Sequence, residues 1–565
     1  MRTGRQASEF MGRCCQILLG SGVLAMALAS CSSSSGTAGT GGTTASSGGS
    51  TGVAGGGAGK GGTSTLGGGF SAGNGGTSAT TGGGSPAGGS TVISGGGASG
   101  GSPSGGAANA GGTTASGGAS GGSGPTTGVT VKLDGTHQTI QGFGLNDALL
   151  SSSLPLDNLF TTTGADAIGL SILRIGMNTT GGLNGTTQSN LDGAKTRGAK
   201  IIGSCWSPPA NCKSNNSTQD GGHVLTSCYG SWSDTIASFA KKYGLYAMSI
   251  GNEPDFASCG PVEPCNGNYD TTLYTAKEMV AFIKVAGPKL QALSPPVKVI
   301  SPEASEWVHT WSNESASGSV PGNKNSSDPL KCGFPASNAA CTTGDGYDYG
   351  HWLAKDSAAW AALDIIGVHE YDTQHAEPWP SDVTVARKEV WETEMSGVKW
   401  WAEQGPTSDI SNGVAVAGWI HSALVVGEAS AWLWWWYQAY ATDDNEGLTL
   451  KGSTALTKRY YTLGNYSKFV RPGYVMVDVT GNSNTDVLLS AFKGTDGTLV
   501  VVAINKGATS ATVPITIAGG TAPTMMTPNV TSATDNLKAG TAVPVTGGSF
   551  MATLATKTVT TFVGK

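Results

Sequence analysis

The chain has 565 residues and a net charge of −6, with only 12% of residues charged. No Lys/Arg cluster supplies the electrostatic footprint that phosphate binding needs, which argues against a nucleic-acid partner. Residues 32–128 hold 39 glycines in 97 positions and a single charge, Lys60, so that stretch cannot bury enough apolar surface to offset its ordering entropy.

At the N-terminus, Arg13 precedes the apolar run Ile17–Ala29, which is too short for an ordinary membrane span. The run ends in Leu28-Ala29-Ser30-Cys31, which resembles a bacterial lipobox. Residues 1–31 are therefore expected to be a lipoprotein signal, with Cys31 lipidated; an ordinary secretory signal is the alternative. Residues 32–128 then form a disordered Gly/Ser/Thr/Ala linker, a flexible tether. The expected location is the cell surface or outer membrane, anchored by lipid only, or the medium after release.

The foldable part, 129–565, starts with Val129, Val131 and Leu133 alternating as a strand. Short apolar runs then alternate with helical patterns. Candidate strands are 139–144, 170–177, 200–205, 246–252, 297–302, 365–369, 389–393 and 431–436, eight in all. Candidate helices are 232–243, 272–293, 413–427 and 458–470; in the third, Val414, Val416, Trp419, Ile420, Leu424 and Val425 can share one face. Eight β-then-α units predict an α/β fold, a (β/α)8 TIM barrel over 137–470. Strands predicted at 475–479, 486–493, 498–505, 511–517 and 558–563 make 471–565 a β-sandwich side domain, joined by 129–136.

Seven cysteines follow the lipobox. Cys212/Cys228, Cys259/Cys265 and Cys332/Cys341 are close enough in sequence to staple loops, leaving Cys205 free. No zinc-like spacing occurs; His369 and His375 are the only near histidine pair, so no metal and no cofactor are expected.

A barrel carries its chemistry at the C-terminal strand ends. There lie Asn146, Arg174, Trp206, Asn252-Glu253, Glu303, His369, Tyr371, Glu394 and Trp434–Trp436. Pro254 disfavours helix at Glu253. Strands four and seven face each other across a barrel mouth. Glu253 and a carboxylate of Trp391-Glu392-Thr393-Glu394 therefore suit retaining glycoside cleavage, which needs a separation of roughly 5 Å. Strand alternation sends Glu392 and Glu394 to the same side, so parity leaves both open.

The stretches Ile140–Gly144, Leu170–Ile175, Trp206–Pro209, Tyr246–Asp255, Ile300–Glu303, Val368–Tyr371, Trp391–Glu394 and Lys458–Tyr474 resemble glycoside hydrolase family 30, nearest its bacterial xylanase (glucuronoxylanase) branch. The likeness covers nearly all of 129–565. It implies Glu253 as acid/base and Glu394 as nucleophile. Asn252 matches the residue that bonds the sugar 2-hydroxyl, and Arg174 the arginine beneath the nucleophile, whose charge would keep Glu394 ionised. Trp206, Tyr371 and Trp435 match aromatic walls of the substrate site, and His369 falls within a matching motif.

The branch's arginine that pairs with glucuronate is absent, and Tyr437-Gln438-Ala439 stands there instead. Gln438 cannot form a charged clamp. The expected activity is endo-β-1,4-xylan cleavage by a monomer, without strict need for glucuronate. Alternatives are another β-glycan, such as β-1,6-glucan or galactan, or a non-catalytic glycan-capturing lipoprotein. Segments 259–269, 309–350 and 395–412 look like insertions that rim the cleft.

Overall fold

The folded chain opens on β1 (Val129–Thr139) and β2 (Gly142–Asn146). The computed structural model describes residues 128–565 apart from 150–151, 220, 257–269, 313–345, 372–375, 398–408, 439–445 and 451–452. The expected signal, Cys31, residues 32–127 of the linker, Cys259, Cys265, Cys332, Cys341, His375 and most of the expected insertions lie outside the described residues.

After β2 come β3 (Ile172–Met177), β4 (Leu183–Asn184), β5 (Lys200–Cys205), β6 (Ala247–Ser249) and β7 (Lys298–Ala304). Then follow β8 (Ile365–His369), β9 (Glu389–Met395) and β10 (Ala429–Trp434). The order β2-β10-β9-β8-β7-β6-β5-β3 closes through a β2–β3 pairing, with β4 added at the edge of β3. Every pair around the ring is parallel, so the chain forms a closed eight-stranded TIM-like barrel. Ile172, Ile202, Ala247, Ile300, Ile365, Trp391, Ala431 and Leu433 form one buried cluster inside it. Each large apolar side chain there contributes about 1.5–3 kcal/mol by leaving water. A filled interior leaves strand ends, not a pore, as the place for chemistry.

The outer layer includes α1 (Leu156–Phe160), α2 (Gln188–Thr196), α3 (Tyr229–Tyr243) and α4 (Ala276–Gln291). Further along are α5 (Val308–Trp311), α6 (Tyr349–Lys355), α7 (Ser357–Ala362), α8 (Ile410–Val425) and α9 (Lys458–Ser467). Helix α4 begins later than its apolar pattern suggests because Thr275 and Glu278 form a capping box. Helix α8 is buried on more than the one predicted face, since Ile410, Gly413, Ala417 and Ala423 are covered as well. It lies against β10 on one side and the β-domain on the other.

The β-domain holds β11 (Val475–Thr480), β12 (Val487–Lys493), β13 (Leu499–Asn505), β14 (Ala511–Ala518) and β15 (Met525–Thr531). Short β16 (Lys538–Ala539) and β17 (Val543–Pro544) precede β18 (Ser549–Leu554) and β19 (Thr558–Gly564). Strand β1 sits between β11, antiparallel, and β14, parallel, so both ends of the folded chain share this sheet. Val129, Val131 and Leu133 enter its core with Val501, Ile515 and Phe562. Helix α9 ties the domains together: Asn465 Nδ2 donates to Asn529 O at 3.0 Å, and Thr561 Oγ1 donates to Asn465 O at 2.6 Å.

Cys212 and Cys228 form a disulfide that closes the loop before α3, and Cys205 is free and buried.

Candidate active site

The polar residues of the barrel mouth converge on Arg174. It points inward from β3 and is fully buried. Its Nη1 donates to Glu394 Oε2 at 2.7 Å and to Asn146 Oδ1 at 3.4 Å. Its Nη2 donates to Asn252 Oδ1 at 2.6 Å and to Glu303 Oε2 at 3.1 Å. Four strand ends thus meet at one guanidinium whose planar fork suits several acceptors at once. Tyr371 Oη donates to Glu394 Oε1 at 3.1 Å. His369 Nδ1 lies 3.1 Å from Glu253 Oε1, and the two share a hydrogen. One oxygen of Glu253, one oxygen of Glu394 and one nitrogen of His369 all lie within 4.8 Å of one another.

The turn after β6 is held by backbone as well as side chains. Asn252 N–H donates to Cys205 O at 3.0 Å, and Glu253 N–H to Glu303 O at 2.9 Å. Asp255 accepts from the Ser305 backbone at 2.8 Å, the Ser305 hydroxyl at 2.9 Å and His309 Nδ1 at 2.7 Å. Glu253 and Glu303 have φ of +45° and +57°. Non-glycine residues rarely adopt this region, at a cost of about 1–3 kcal/mol each, and here the surrounding bonds hold both.

Two bulges aim the carboxylates. Strand β8 pairs Val368 with Glu392 and then His369 with Glu394, so Thr393 is an extra residue. The expected same-side placement of Glu392 and Glu394 is therefore wrong, because one inserted residue breaks the alternation. Glu392 is fully buried, and the mouth cluster receives Glu394. In β7 the extra residue is Glu303, between the pairs Pro302–Gly367 and Ala304–Val368.

Burial is the largest influence on both carboxyls. It pushes Glu253 well above the usual carboxylate range, helped by the nearby charges of Glu394 and Asp255 and opposed by Arg174. It lifts Glu394 to about 7, with Arg174 pulling the other way and Glu303 adding to the rise. Arg174 was expected to keep Glu394 in its ionised form; it favours that form, but desolvation outweighs it. Burial holds His369 well below its ordinary value, so the ring is neutral. It holds the Tyr371 phenol well above its own, so Tyr371 remains a donor.

The aromatic residues fall into two groups. Trp206 and Trp435 lie 6.4 Å apart, and Arg174 Cζ sits 5.1 Å from the Trp206 ring centroid. Trp435 stacks on Trp436 at 4.8 Å, and Ala148 completes this cluster beside the carboxylates. Trp434 belongs to the main core, its Nε1 donating to Glu446 O at 2.7 Å. Gln438 is half-buried, four residues past β10, and takes no part in the hydrogen-bonded cluster. Sequence reasoning gave Glu303 no role and overlooked Ser204, Asp255 and His309. The one available signal was that Ile300–Glu303 ends a predicted strand.

A model of the glycosyl hydrolase family 30 beta sandwich domain matches residues 473–562. Over 455 residues the chain is 29% identical to glucuronoxylanase XynC of Bacillus subtilis strain 168, covering 77% of this chain and 91% of that protein. A GH30 endoxylanase from Clostridium papyrosolvens C71 superposes with a TM-score of 0.58 at 25% identity, over 78% of this chain and 100% of that one. Xyn30A, a glycoside hydrolase family 30 subfamily 8 xylanase from Clostridium acetobutylicum, gives 0.59 at 25% identity, over 78% and 99%. The chain thus carries a family 30 beta sandwich domain beside a TIM-like barrel, is homologous to a bacterial glucuronoxylanase and is similar in fold to GH30 xylanases.

Proposed function

We propose that the chain is a retaining glycoside hydrolase that cleaves β-1,4-xylosidic bonds in xylan without requiring glucuronate branches. The observation that carries retention is that oxygens of Glu253 and Glu394 lie within 4.8 Å. Retaining pairs stand roughly 5–5.5 Å apart, whereas inverting pairs leave roughly 6.5–9.5 Å for a water. The family relation to xylanases supports the substrate.

Glu253 is the acid/base: its raised affinity for a proton keeps it loaded, and His369 and the Glu303 carbonyl hold it in place. Glu394 is the nucleophile, oriented by Arg174 and Tyr371. Glu394 attacks the anomeric carbon as Glu253 protonates the departing oxygen, leaving a glycosyl ester. Glu253 then takes a proton from water, which attacks the same carbon and frees Glu394. Asn252 meets the sugar 2-hydroxyl, and Trp206 and Trp435 offer ring faces to apolar sugar C–H surfaces. Independence from glucuronate rests on Tyr437-Gln438, a neutral pair that can provide no charged clamp. Export and lipidation at Cys31 belong to the same proposal; replacing Cys31 with Ser should abolish metabolic labelling by a fatty-acid analogue.

Mass spectrometry of products from glucuronoxylan, arabinoxylan and unbranched xylo-oligosaccharides tests the substrate. Cleavage of the unbranched chains is expected. Products that all carry glucuronate would overturn the branch-independence, and no cleavage of any would point to another β-glycan.

A further inference from the structure

We infer that Glu303 is a positioning residue for the reaction: it shares Arg174 with Glu394, and so sets how firmly the nucleophile holds its negative charge, while its backbone carbonyl fixes Glu253. This rests on the retaining reading and adds a third carboxylate to the pair.

Several independent features converge on this residue. Glu303 is the inserted residue of the β7 bulge and has φ of +57°. Its side chain is wholly buried, and its Oε2 lies 3.1 Å from Arg174 Nη2. Ser204 Oγ donates to the same oxygen at 2.7 Å. Arg174 binds Glu394 through its other terminal nitrogen at 2.7 Å. One cation is thus divided between two carboxylates. The Glu303 carbonyl, in turn, accepts the Glu253 N–H at 2.9 Å. A bulge next to an active site re-aims a side chain, and a left-handed residue there needs a reason to persist.

A guanidinium paired with Glu394 alone would stabilise the carboxylate strongly and blunt it as a nucleophile. Division of the charge leaves Glu394 oriented but less stabilised. The groups facing Glu394 are Arg174 from β3, Glu303 from β7, His369 and Tyr371 at the end of β8, and Glu253 after β6. Those facing Glu303 are Arg174, Glu394, Glu253, and Ser204 and Cys205 from β5. Of the acidic groups around Glu394, Glu303 alone hydrogen-bonds Arg174, and its charge favours the protonated nucleophile.

Glu303→Gln keeps size and an acceptor oxygen but removes the charge. The acid limb of the kcat–pH profile should then move down by about one unit, because Arg174 acts on Glu394 undivided. kcat at the optimum should fall about tenfold or more while KM changes within about twofold. Ser204→Ala takes away the hydroxyl that shares Glu303's charge, so Arg174 is neutralised further and the limb should move slightly up. Glu303→Asp keeps the charge and should leave the limb nearer to wild type than Gln does. A purely structural role predicts a flat loss of kcat with no limb movement in either Gln or Ala variant, and that result overturns the inference.

Should the unaltered protein cleave no β-glycan, the hydrolase reading fails while this test survives. The 13C carboxyl resonance of Glu394, identified by its loss in Glu394→Gln, can be titrated without turnover. A downward shift of its midpoint in Glu303→Gln supports the division of charge, and an unchanged midpoint refutes it.

Discussion

Glu253 and Glu394 are both carboxyls in a buried, crowded site, yet their surroundings separate them. Arg174 and Tyr371 contact Glu394 directly, while Glu253 shares a hydrogen with a neutral imidazole. The raised proton affinities have opposite consequences for activity. In the proposed mechanism Glu394 must be ionised, so activity is expected to appear as pH rises through its value of about 7. In the same mechanism Glu253 must be protonated, and burial, together with the charges of Glu394 and Asp255, favours its protonated form. A kcat/KM profile with its optimum near or above neutrality is expected, and one centred near pH 5 would contradict these roles. Glu394→Gln should lower kcat by at least about 10³-fold with an unchanged melting temperature, measured by calorimetry beside the assay. Of the proposed pair, Glu253 could be read from Asn252-Glu253-Pro254 at a strand end, whereas the choice of Glu394 over Glu392 came only from the family resemblance. The Glu303 connection was not legible, since it depends on a side chain reaching a strand distant in sequence.

The barrel strands were legible as elements because each is a short apolar run bounded by turn-forming residues. Bulges leave no such mark. Nothing in Trp391-Glu392-Thr393-Glu394 announces that Thr393 is an insertion, so alternation misplaced Glu392. Strands β15 and β18 escaped notice for a related reason: β15 carries Pro528 and Asn529 and is only partly buried, and β18 has Thr553 as its one β-branched residue. The β7 bulge also needs an empty position opposite it. A Cβ on Gly367 would come 2.6 Å from Ile300 Cγ2 and 2.7 Å from Glu303 Cγ. Gly367→Ala should therefore cost about 1–3 kcal/mol through overpacking and lower kcat by displacing Glu303. Thermal melting and steady-state kinetics would show both effects, and unchanged kcat would mean that the bulge tolerates the methyl group.

For the whole molecule, β1 links the beginning of the folded chain to its end. It pairs with β11 and β14, and Ile140 immediately after it exchanges backbone bonds with Tyr474 and Gly473. The side domain consequently braces the barrel just below β2. A chain starting at residue 140 would lose Val129, Val131 and Leu133 from the sandwich core and leave two strand edges unpaired. It should melt at a lower temperature than 128–565 and aggregate; equal stability would show that β1 is dispensable.

The central claim is double displacement by Glu253 and Glu394, and product stereochemistry tests it most directly. Proton NMR of the first sugar released from a xylo-oligosaccharide, read before mutarotation, reports the anomeric configuration. The β-anomer appearing first is the predicted result; the α-anomer appearing first would mean a single inverting displacement and would contradict the assignment of Glu394 as nucleophile.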